Sequence, residues 1–560
     1  MTLQIILRPF KIIFVLPMKS FLPLLLLFLS IQGYSQIDSL TENEGNESGA
    51  FAQALSSPRL IAARHEFNEN NIRGALLLFR EVLSADPENS NALYGSAQCY
   101  YQLKKYKLAL EYAHKAIAID PKISINSSLF IGQIHHRTGK LDEAIEYFEK
   151  FTSQKKASAE DKLEAQMFIG QCKYAQEQLK KPSKVTIKNL GTLVNSRYDD
   201  YTPSITADGQ TLYFTARRND TKGGRMDENG DYKYFEDIYF SEYDSKTGNW
   251  GQASQVEGDL NTETYDAVLS IVPSGKGMFV YKNNVDNAGD IFFSEYRPDK
   301  KEWTTAIKLP RPINTSYFEG SVSTTADGQT LYFVSEQPDG LGQGDIYVSR
   351  KTNDKWSTPE SIGESVNTEL DEKFVFIHPN GKTLYFASNG HQTMGSYDIF
   401  KSELIDGEWS IPINLGYPIN TVNEESTFSL TKDNKTMFIA AEYDDSHGER
   451  DIYSIDVSDY PVVSRGHEIR TCVRVKIECK TNEEEGLKNA VITASLASTG
   501  KVIATRKTSA DGSVSLAIPG NQAYVITAAY KERLMSRTIQ PELDAEKEVT
   551  IQETFLFNEE

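Results

Sequence analysis

The sequence predicts a multidomain chain in which an all-α solenoid precedes an all-β five-bladed propeller and a small antiparallel β-sandwich. Three patterns carry this prediction. Apolar residues with helical spacing repeat every 34 residues through 53–181, a strand-and-turn pattern recurs five times in 184–460, and alternating apolar stretches broken by turns fill 468–560. Repeats of 34 residues are typical of helix-pair solenoids, and all-strand repeats of about 40–50 residues are typical of propeller blades.

The first 35 residues are predicted to be a signal peptide, with Met1 and Met18 as candidate starts. Lys19 precedes an apolar run over 21–31, and small residues follow it. This order of basic, apolar and small residues directs export, and the run is too short to span a bilayer comfortably. Residues 36–52 are predicted to be a polar linker. The mature chain is therefore expected in the periplasm, without a transmembrane segment.

The helical part carries small residues and prolines at one repeat. Ala75, Ala109 and Ala144 recur at 34 and 35 residues, and Pro87 and Pro121 recur at 34. Small residues where two helices touch and a proline at the end of each unit are typical of tetratricopeptide repeats. We expect three repeats and a closing helix after the cap-like Ser158, with a groove that binds a peptide or helix by analogy with the fold.

The propeller is predicted from five copies of an Asp-Ile-aromatic strand. They are Asp237-Ile238-Tyr239, Asp290-Ile291-Phe292, Asp345-Ile346-Tyr347, Asp398-Ile399-Phe400 and Asp451-Ile452-Tyr453, with gaps of 53, 55, 53 and 53 residues. A hairpin dipeptide such as Asp208-Gly209 precedes each copy, since such dipeptides supply the positive φ of tight turns. Four copies are followed by a tryptophan strand, and the last is not. Residues 184–195 are predicted to supply the missing outer strand and to close the ring.

One acidic residue stands eight positions before each hairpin turn. The five are Asp200, Asp266, Glu319, Glu372 and Glu425. One interpretation places them around the mouth of the channel, where they would bind a basic protein partner. The alternative is that each carboxylate caps a neighbouring strand inside its blade, because symmetric repeats usually preserve structure. The Asp of each Asp-Ile-aromatic strand admits the same structural interpretation.

Composition and motifs argue against several classes of function. A net charge of −19 disfavours nucleic acid and anionic lipid as partners. Four cysteines lack metal-ligand spacing, and no catalytic motif occurs, so we expect no enzyme activity, no cofactor and no metal. The pair His135-His136 is expected on the surface of a helix. The long loop 216–236 of the first blade is expected to be solvated or to contact a partner, in preference to binding calcium.

The order of domains resembles a family of exported Bacteroidetes proteins. In that family tetratricopeptide repeats precede a TolB-like propeller and a carboxypeptidase-regulatory-like sandwich, which Asn489-Ala490-Val491-Ile492, Asp511-Gly512 and Pro519-Gly520 resemble here. Members usually continue into an OmpA-like peptidoglycan-binding domain, and some belong to type IX secretion and gliding machinery. This sequence ends at Glu560 without that domain, so peptidoglycan binding is in doubt.

Two functions follow as expectations. The first is a periplasmic adaptor at the outer membrane that binds protein partners. The alternative is a propeller that senses a small ligand or a glycan through its channel.

Overall fold

The computed structural model describes residues 47–227, 231–283, 289–405, 407–464, 472–483, 485–498, 500, 502–520, 523–531, 533–542 and 549–557. The predicted signal peptide, residues 1–35, and residues 36–46 of the predicted linker lie outside these ranges. The first helix begins at Glu47, inside the segment predicted as linker. In the described ranges, no helix combines the length and apolarity that crossing a membrane requires.

Seven helices form a tetratricopeptide-like region, here called the helical stack. Their bounds are Glu47–Asn68, Ile72–Ala85, Ser90–Gln102, Tyr106–Ile119, Ser127–Arg137, Leu141–Thr152 and Ala159–Leu179. The three repeated alanines of the sequence pattern are fully buried, as close helix contacts require. Glycine permits two further close contacts, since a Cβ on Gly95 would lie 2.3 Å from the Phe79 ring and one on Gly132 would lie 2.6 Å from Phe148. Ser158 caps the seventh helix by accepting from the Asp161 amide at 3.0 Å.

Five antiparallel sheets follow and form the β-rich region. Their main strands are Asp200–Ile205, Thr211–Ala216 and Asp237–Asp244 in the first sheet; Tyr265–Ile271, Gly277–Asn283 and Asp290–Arg297 in the second; Glu319–Thr324, Thr330–Ser335 and Asp345–Thr352 in the third; Glu372–Ile377, Thr383–Ser388 and Asp398–Ile405 in the fourth; and Phe428–Leu430, Thr436–Ala441 and Asp451–Asp456 in the fifth. The first four sheets add two-residue outer strands at Asn249–Trp250, Ser254–Gln255, Glu302–Trp303, Ile307–Lys308, Lys355–Trp356, Glu360–Ser361, Glu408–Trp409 and Ile413–Asn414. The hairpins turn through Gly209, Gly275, Gly328, Gly381 and Asn434, all with φ between 58° and 72°.

The fifth sheet is completed by a strand from before the first sheet. Thr186–Asn189 pairs antiparallel with Asp451–Asp456, which is the pairing predicted for residues 184–195. Each sheet shares a hydrophobic cluster with the next, and the cluster that holds Phe214 and Ile452 joins the first sheet to the fifth. The order of sheets is therefore closed, and the pairing covers the outer edge that the fifth sheet would otherwise expose.

The C-terminal region, Cys472–Phe557, contains two sheets around one hydrophobic cluster. Their strands are Cys472–Thr481, Ser513–Pro519 and Thr550–Phe557 in one sheet, and Val491–Leu496, Val502–Lys507, Tyr524–Tyr530 and Arg533–Ile539 in the other. The prediction that this region is purely antiparallel is wrong, because Cys472–Thr481 pairs in parallel with Thr550–Phe557. Ile411 of the β-rich region joins its cluster, and Arg506 donates to Ser365 at 2.5 Å.

Candidate functional site

The five repeated carboxylates lie in or just before the innermost strands, but they are buried. Asp200, Glu319 and Glu372 open their strands, Asp266 is the second residue of its strand, and Glu425 lies three residues before Phe428–Leu430. Each accepts a hydrogen bond from the backbone amide four residues earlier and another from the hydroxyl of the same residue. The donors are Ser196, Thr262, Thr315, Thr368 and Thr421, to Asp200, Asp266, Glu319, Glu372 and Glu425 respectively. All five acids are at most 1 % exposed. They offer a partner no accessible carboxylate, which favours the structural alternative over a ring that binds a basic partner.

These carboxylates differ in how their charge is compensated. Arg218 donates to Asp200 at 2.6 Å and Lys282 donates to Asp266 at 2.6 Å. Burial raises the pKa of Glu372 to about 7 and that of Glu425 to about 8, since their described contacts are amides and hydroxyls rather than cations. At neutral pH the Glu425 carboxyl is thus mostly uncharged, whereas the Glu372 carboxyl is about half ionised.

An asparagine precedes each of these hydroxyl residues and joins successive sheets. In the first junction, Asn261 accepts from the Ile238 amide at 2.9 Å and donates to the Ile238 carbonyl at 3.0 Å. Asn195, Asn314, Asn367 and Asn420 make the same two bonds to Ile452, Ile291, Ile346 and Ile399. The sequence contains this asparagine as a repeated Asn-Thr pair, with Asn-Ser in the first copy. Only the structure shows that the asparagine side chain binds the preceding sheet while the hydroxyl of the next residue binds the carboxylate of the following sheet.

Several carboxylates at this end of the sheets are held by basic side chains or a tyrosine hydroxyl. Arg450 donates to both carboxylate oxygens of Asp199, at 2.7 and 2.8 Å, and Lys373 donates to Glu424 at 2.9 Å. Tyr397 donates to Asp371 at 2.5 Å. Basic side chains of neighbouring strands and loops therefore stand among the acids at this end of the sheets. Their positions differ from sheet to sheet, so the repeat pattern did not reveal them.

The helical stack docks on the loops of the fourth sheet, residues 392–397 and 421–424, here called the fourth rim. Met394 is 1 % exposed and packs in the same cluster as Leu129 and Phe148 of the stack. Around it, His136 Nε2 donates to the Met394 carbonyl at 2.8 Å, and Arg137 donates to the Val422 carbonyl at 2.6 Å. The stack and the β-rich region therefore share a core.

This contact corrects the expectation for the histidine pair. His136 is fully buried and His135 nearly so, with the His135 ring stacked on Tyr147 at 5.4 Å. Burial lowers the pKa of His136 to about 4, so it is neutral and donates one hydrogen to the rim. The apolar residues Met394 and Val422 in otherwise polar loops are the sequence signal of this interface.

The long loop of the first sheet folds back over the same end. Arg217 pairs with Asp231, and the hydroxyl of Tyr265 donates to Asp227. Residues 228–230, the centre of the calcium-like segment, lie outside the described residues. Within the described part of the chain, no group of three His, Cys, Asp or Glu is placed to hold a metal ion.

The comparisons with known proteins concern parts of the chain. A tetratricopeptide-type family model, described as anaphase-promoting complex, cyclosome, subunit 3, matches residues 68–151. No match was found among curated proteins. The chain is similar to TolB from Acinetobacter baumannii, with 15 % identity over 47 % of this chain and 56 % of that chain and a TM-score of 0.29. It thus spans a little over half of that TolB chain.

The helical stack is similar to two further solved structures. The second tetratricopeptide domain of human RPAP3, solved with an HSP70 peptide, is 20 % identical over 22 % of this chain and 98 % of that chain, with a TM-score of 0.20. The Yersinia enterocolitica type III secretion translocator chaperone SycD is 16 % identical over 22 % of this chain and 88 % of that chain, with a TM-score of 0.21. At such TM-scores these similarities carry no functional argument.

Proposed function

We propose that the protein is a non-enzymatic adaptor that binds protein partners in the periplasm at the outer membrane, within a type IX secretion or gliding-type assembly. One observation carries the adaptor role, namely the core that Met394 builds between the helical stack and the fourth rim. The groove expected in the helical stack and the loops at the end of the β-rich sheets are thereby held in one fixed geometry, as a scaffold requires. The cellular placement rests on the predicted signal peptide and the family resemblance.

The fixed geometry can be tested by releasing the stack. Affinity isolation from periplasm with the full chain should recover protein partners, and Met394→Asp should recover fewer of those that contact both surfaces at once. Leu556→Asp, at an exposed leucine of the C-terminal region, is the control because it adds the same charge in a different region of the chain. Equal recovery by all three proteins would contradict a role for the docked arrangement.

We further propose that the five sheets are the blades of one five-bladed propeller and that the C-terminal region is a β-sandwich. The closing strand Thr186–Asn189 gives a direct test of the ring. A chain that starts at Lys184 keeps this strand, whereas one that starts at Tyr198 loses it, and both lack the helical stack. The second should aggregate at concentrations where the first stays monomeric, because its fifth sheet has an open edge.

A ligand- or glycan-sensing role is the second candidate, and one pair of groups favours it. Arg450 holds the pKa of Asp199 well below its usual range, whereas burial raises the pKa of Glu236, whose carboxylate accepts from the Tyr201 hydroxyl. Two acids with opposite shifts beside an aromatic ring suit a polar ligand. Screening the full chain against glycans by thermal shift tests this, with Asp199→Asn and Glu236→Gln expected to abolish any shift.

A further inference from the structure

The loops of the third sheet have the same backbone construction as the fourth rim. These loops, residues 339–344 and 368–371, are here called the third rim, and they stand 53 residues before their counterparts. Asp345 accepts from the Gly342 amide at 3.0 Å, and Asp398 accepts from the corresponding Gly395 amide at 3.3 Å. Both turns are therefore fixed by the first residue of the strand that follows them.

Both rims also pack their two segments together through a glycine. A Cβ on Gly342 would lie 1.8 Å from the Leu370 carbonyl oxygen, and one on Gly395 would lie 2.1 Å from that of Asn423. The same carbonyls accept the next amide along, at 2.8 Å in the third rim and 2.9 Å in the fourth. Because the backbones match bond for bond, side chains at equivalent positions project in equivalent directions.

The two rims differ in what covers them. Met394 of the fourth rim is buried by the helical stack, whereas Leu341 at the equivalent position of the third rim is 46 % exposed. Leu370, on the other segment of the third rim, is 43 % exposed. Two exposed leucines on loops held by backbone hydrogen bonds form an apolar surface that no described helix covers.

The surroundings of the third rim are acidic. Glu336, Asp339 and Glu369 lie on the rim or within three residues of it in sequence. The cation that contacts the fourth rim is Arg137, the last residue of the helix Ser127–Arg137. A similar helix end would meet rim carbonyls at the third rim and would also find carboxylates there.

We propose that the third rim is a docking site for the end of a helix pair in a partner protein. The partner supplies an apolar pocket that receives Leu341 and a basic residue in the last turn of its helix. The inference rests on the proposed adaptor function and names the class of partner. The occupant is identified by the fourth rim, where the same backbone receives the paired helices Ser127–Arg137 and Leu141–Thr152, with Gln171 of the adjacent helix Ala159–Leu179 donating to the Gly395 carbonyl at 2.8 Å. A helix end suits the site because its basic side chain reaches rim carbonyls while apolar residues close over the leucine.

Site-specific photo-cross-linking in the full chain tests the proposal. The photoreactive residue p-benzoylphenylalanine replaces Leu341, and the cross-linked residue of the partner is located by mass spectrometry. We expect it in the first or last turn of a helix with Arg or Lys within one turn. Leu370→Asp should lower the adduct yield about tenfold, whereas Leu556→Asp should leave it unchanged.

Three outcomes overturn the proposal: no adduct, an adduct to a strand of the partner, or a yield that Leu370→Asp does not alter. A second photoreactive residue at position 373, where Lys373 pairs with Glu424, distinguishes failure of the third-rim proposal from failure of the adaptor function. Adducts from position 373 alone mean that the protein has partners but that the third rim is not their site. Absence of adducts from both positions counts against the adaptor function as well.

Discussion

The third and fourth rims share one backbone arrangement and differ in whether the apolar side chain at the equivalent position is buried. Both turns are held by an aspartate and a glycine, yet Met394 lies inside a core while Leu341 is 46 % exposed. The repeat thus builds the same docking backbone at both rims, and the position of the helical stack determines which rim is covered. An internal repeat can therefore indicate the kind of partner that suits an uncovered copy.

The largest expected difference between the rims follows from reversing polarity at the equivalent position. Met394→Asp places a charge in the apolar cluster and should destabilise the docked stack by about 3 kcal/mol or more. Leu341→Asp should change stability by less than about 0.5 kcal/mol, since its side chain is exposed. Calorimetry of the full chain should show the first variant melting in two steps. Similar melting curves for Met394→Asp and Leu341→Asp would contradict the difference in burial between the two rims.

Removing the arginine that reaches the fourth rim should have the next largest effect. Arg137→Ala deletes charged hydrogen bonds to the Val422 and Asn423 carbonyls, worth about 1.5–3 kcal/mol. Amide exchange should then accelerate in residues 392–397 and 421–424 and stay unchanged in 339–344. Lys140→Ala, three residues later and exposed, is the control. Equal acceleration in both rims would mean that the arginine acts on the whole region.

Acidity should affect both rims through their buried carboxyls. Since burial raises the pKa of Glu425 to about 8, this group favours the folded state below its ordinary pKa near 4.5, and that contribution is lost as pH rises through about 8. Glu425→Gln should therefore stabilise the protein at pH of about 9 by about 1–3 kcal/mol and change little at pH of about 5. Glu372→Gln should also stabilise the protein at high pH, but by less, and its stabilisation should reach its full value at a lower pH because the pKa of Glu372 is about 7. Unfolding titrations with the same slope for wild type and variants between these pH values would contradict the assignment.

The smallest effect is expected where the stack meets the β-rich region through exposed charges. Arg73 pairs with Glu449 at 3.2 Å and Lys104 pairs with Glu442 at 3.2 Å. Arg73→Ala with Lys104→Ala should lower stability by about 1 kcal/mol or less at low salt, and the loss should disappear near 0.5 M NaCl. A larger loss that persists in salt would make these pairs, rather than Met394, the basis of docking.

The parts of the fold that follow from local chemistry could be predicted from the sequence. Asp208-Gly209 and its counterparts supply positive φ, so the hairpins and the order of strands followed from the repeat. The pairing of Thr186–Asn189 was also predictable, because the last copy of the pattern lacked its outer strand. The parallel pairing of Thr550–Phe557 was missed, since alternation of apolar residues is the same in parallel and antiparallel strands.

The candidate site was less predictable because it depends on contacts between distant segments. The five repeated acids could be placed at one end of the sheets, but their burial depends on amides four residues earlier that fold back over them. Arg450 has no basic counterpart in the other copies, and the apolar Met394 has one only in Leu341. Their roles require the neighbouring sheet or the helical stack, which periodicity does not specify.

The apolar cluster around Met394 also has a consequence for biosynthesis. The last helix of the stack ends at Leu179, more than two hundred residues before the methionine that completes its core. At ordinary rates of translation the stack would wait on the order of tens of seconds with that surface uncovered. A nascent chain of this protein therefore carries a transient hydrophobic face, which makes it a natural client for chaperones that hold unfinished chains.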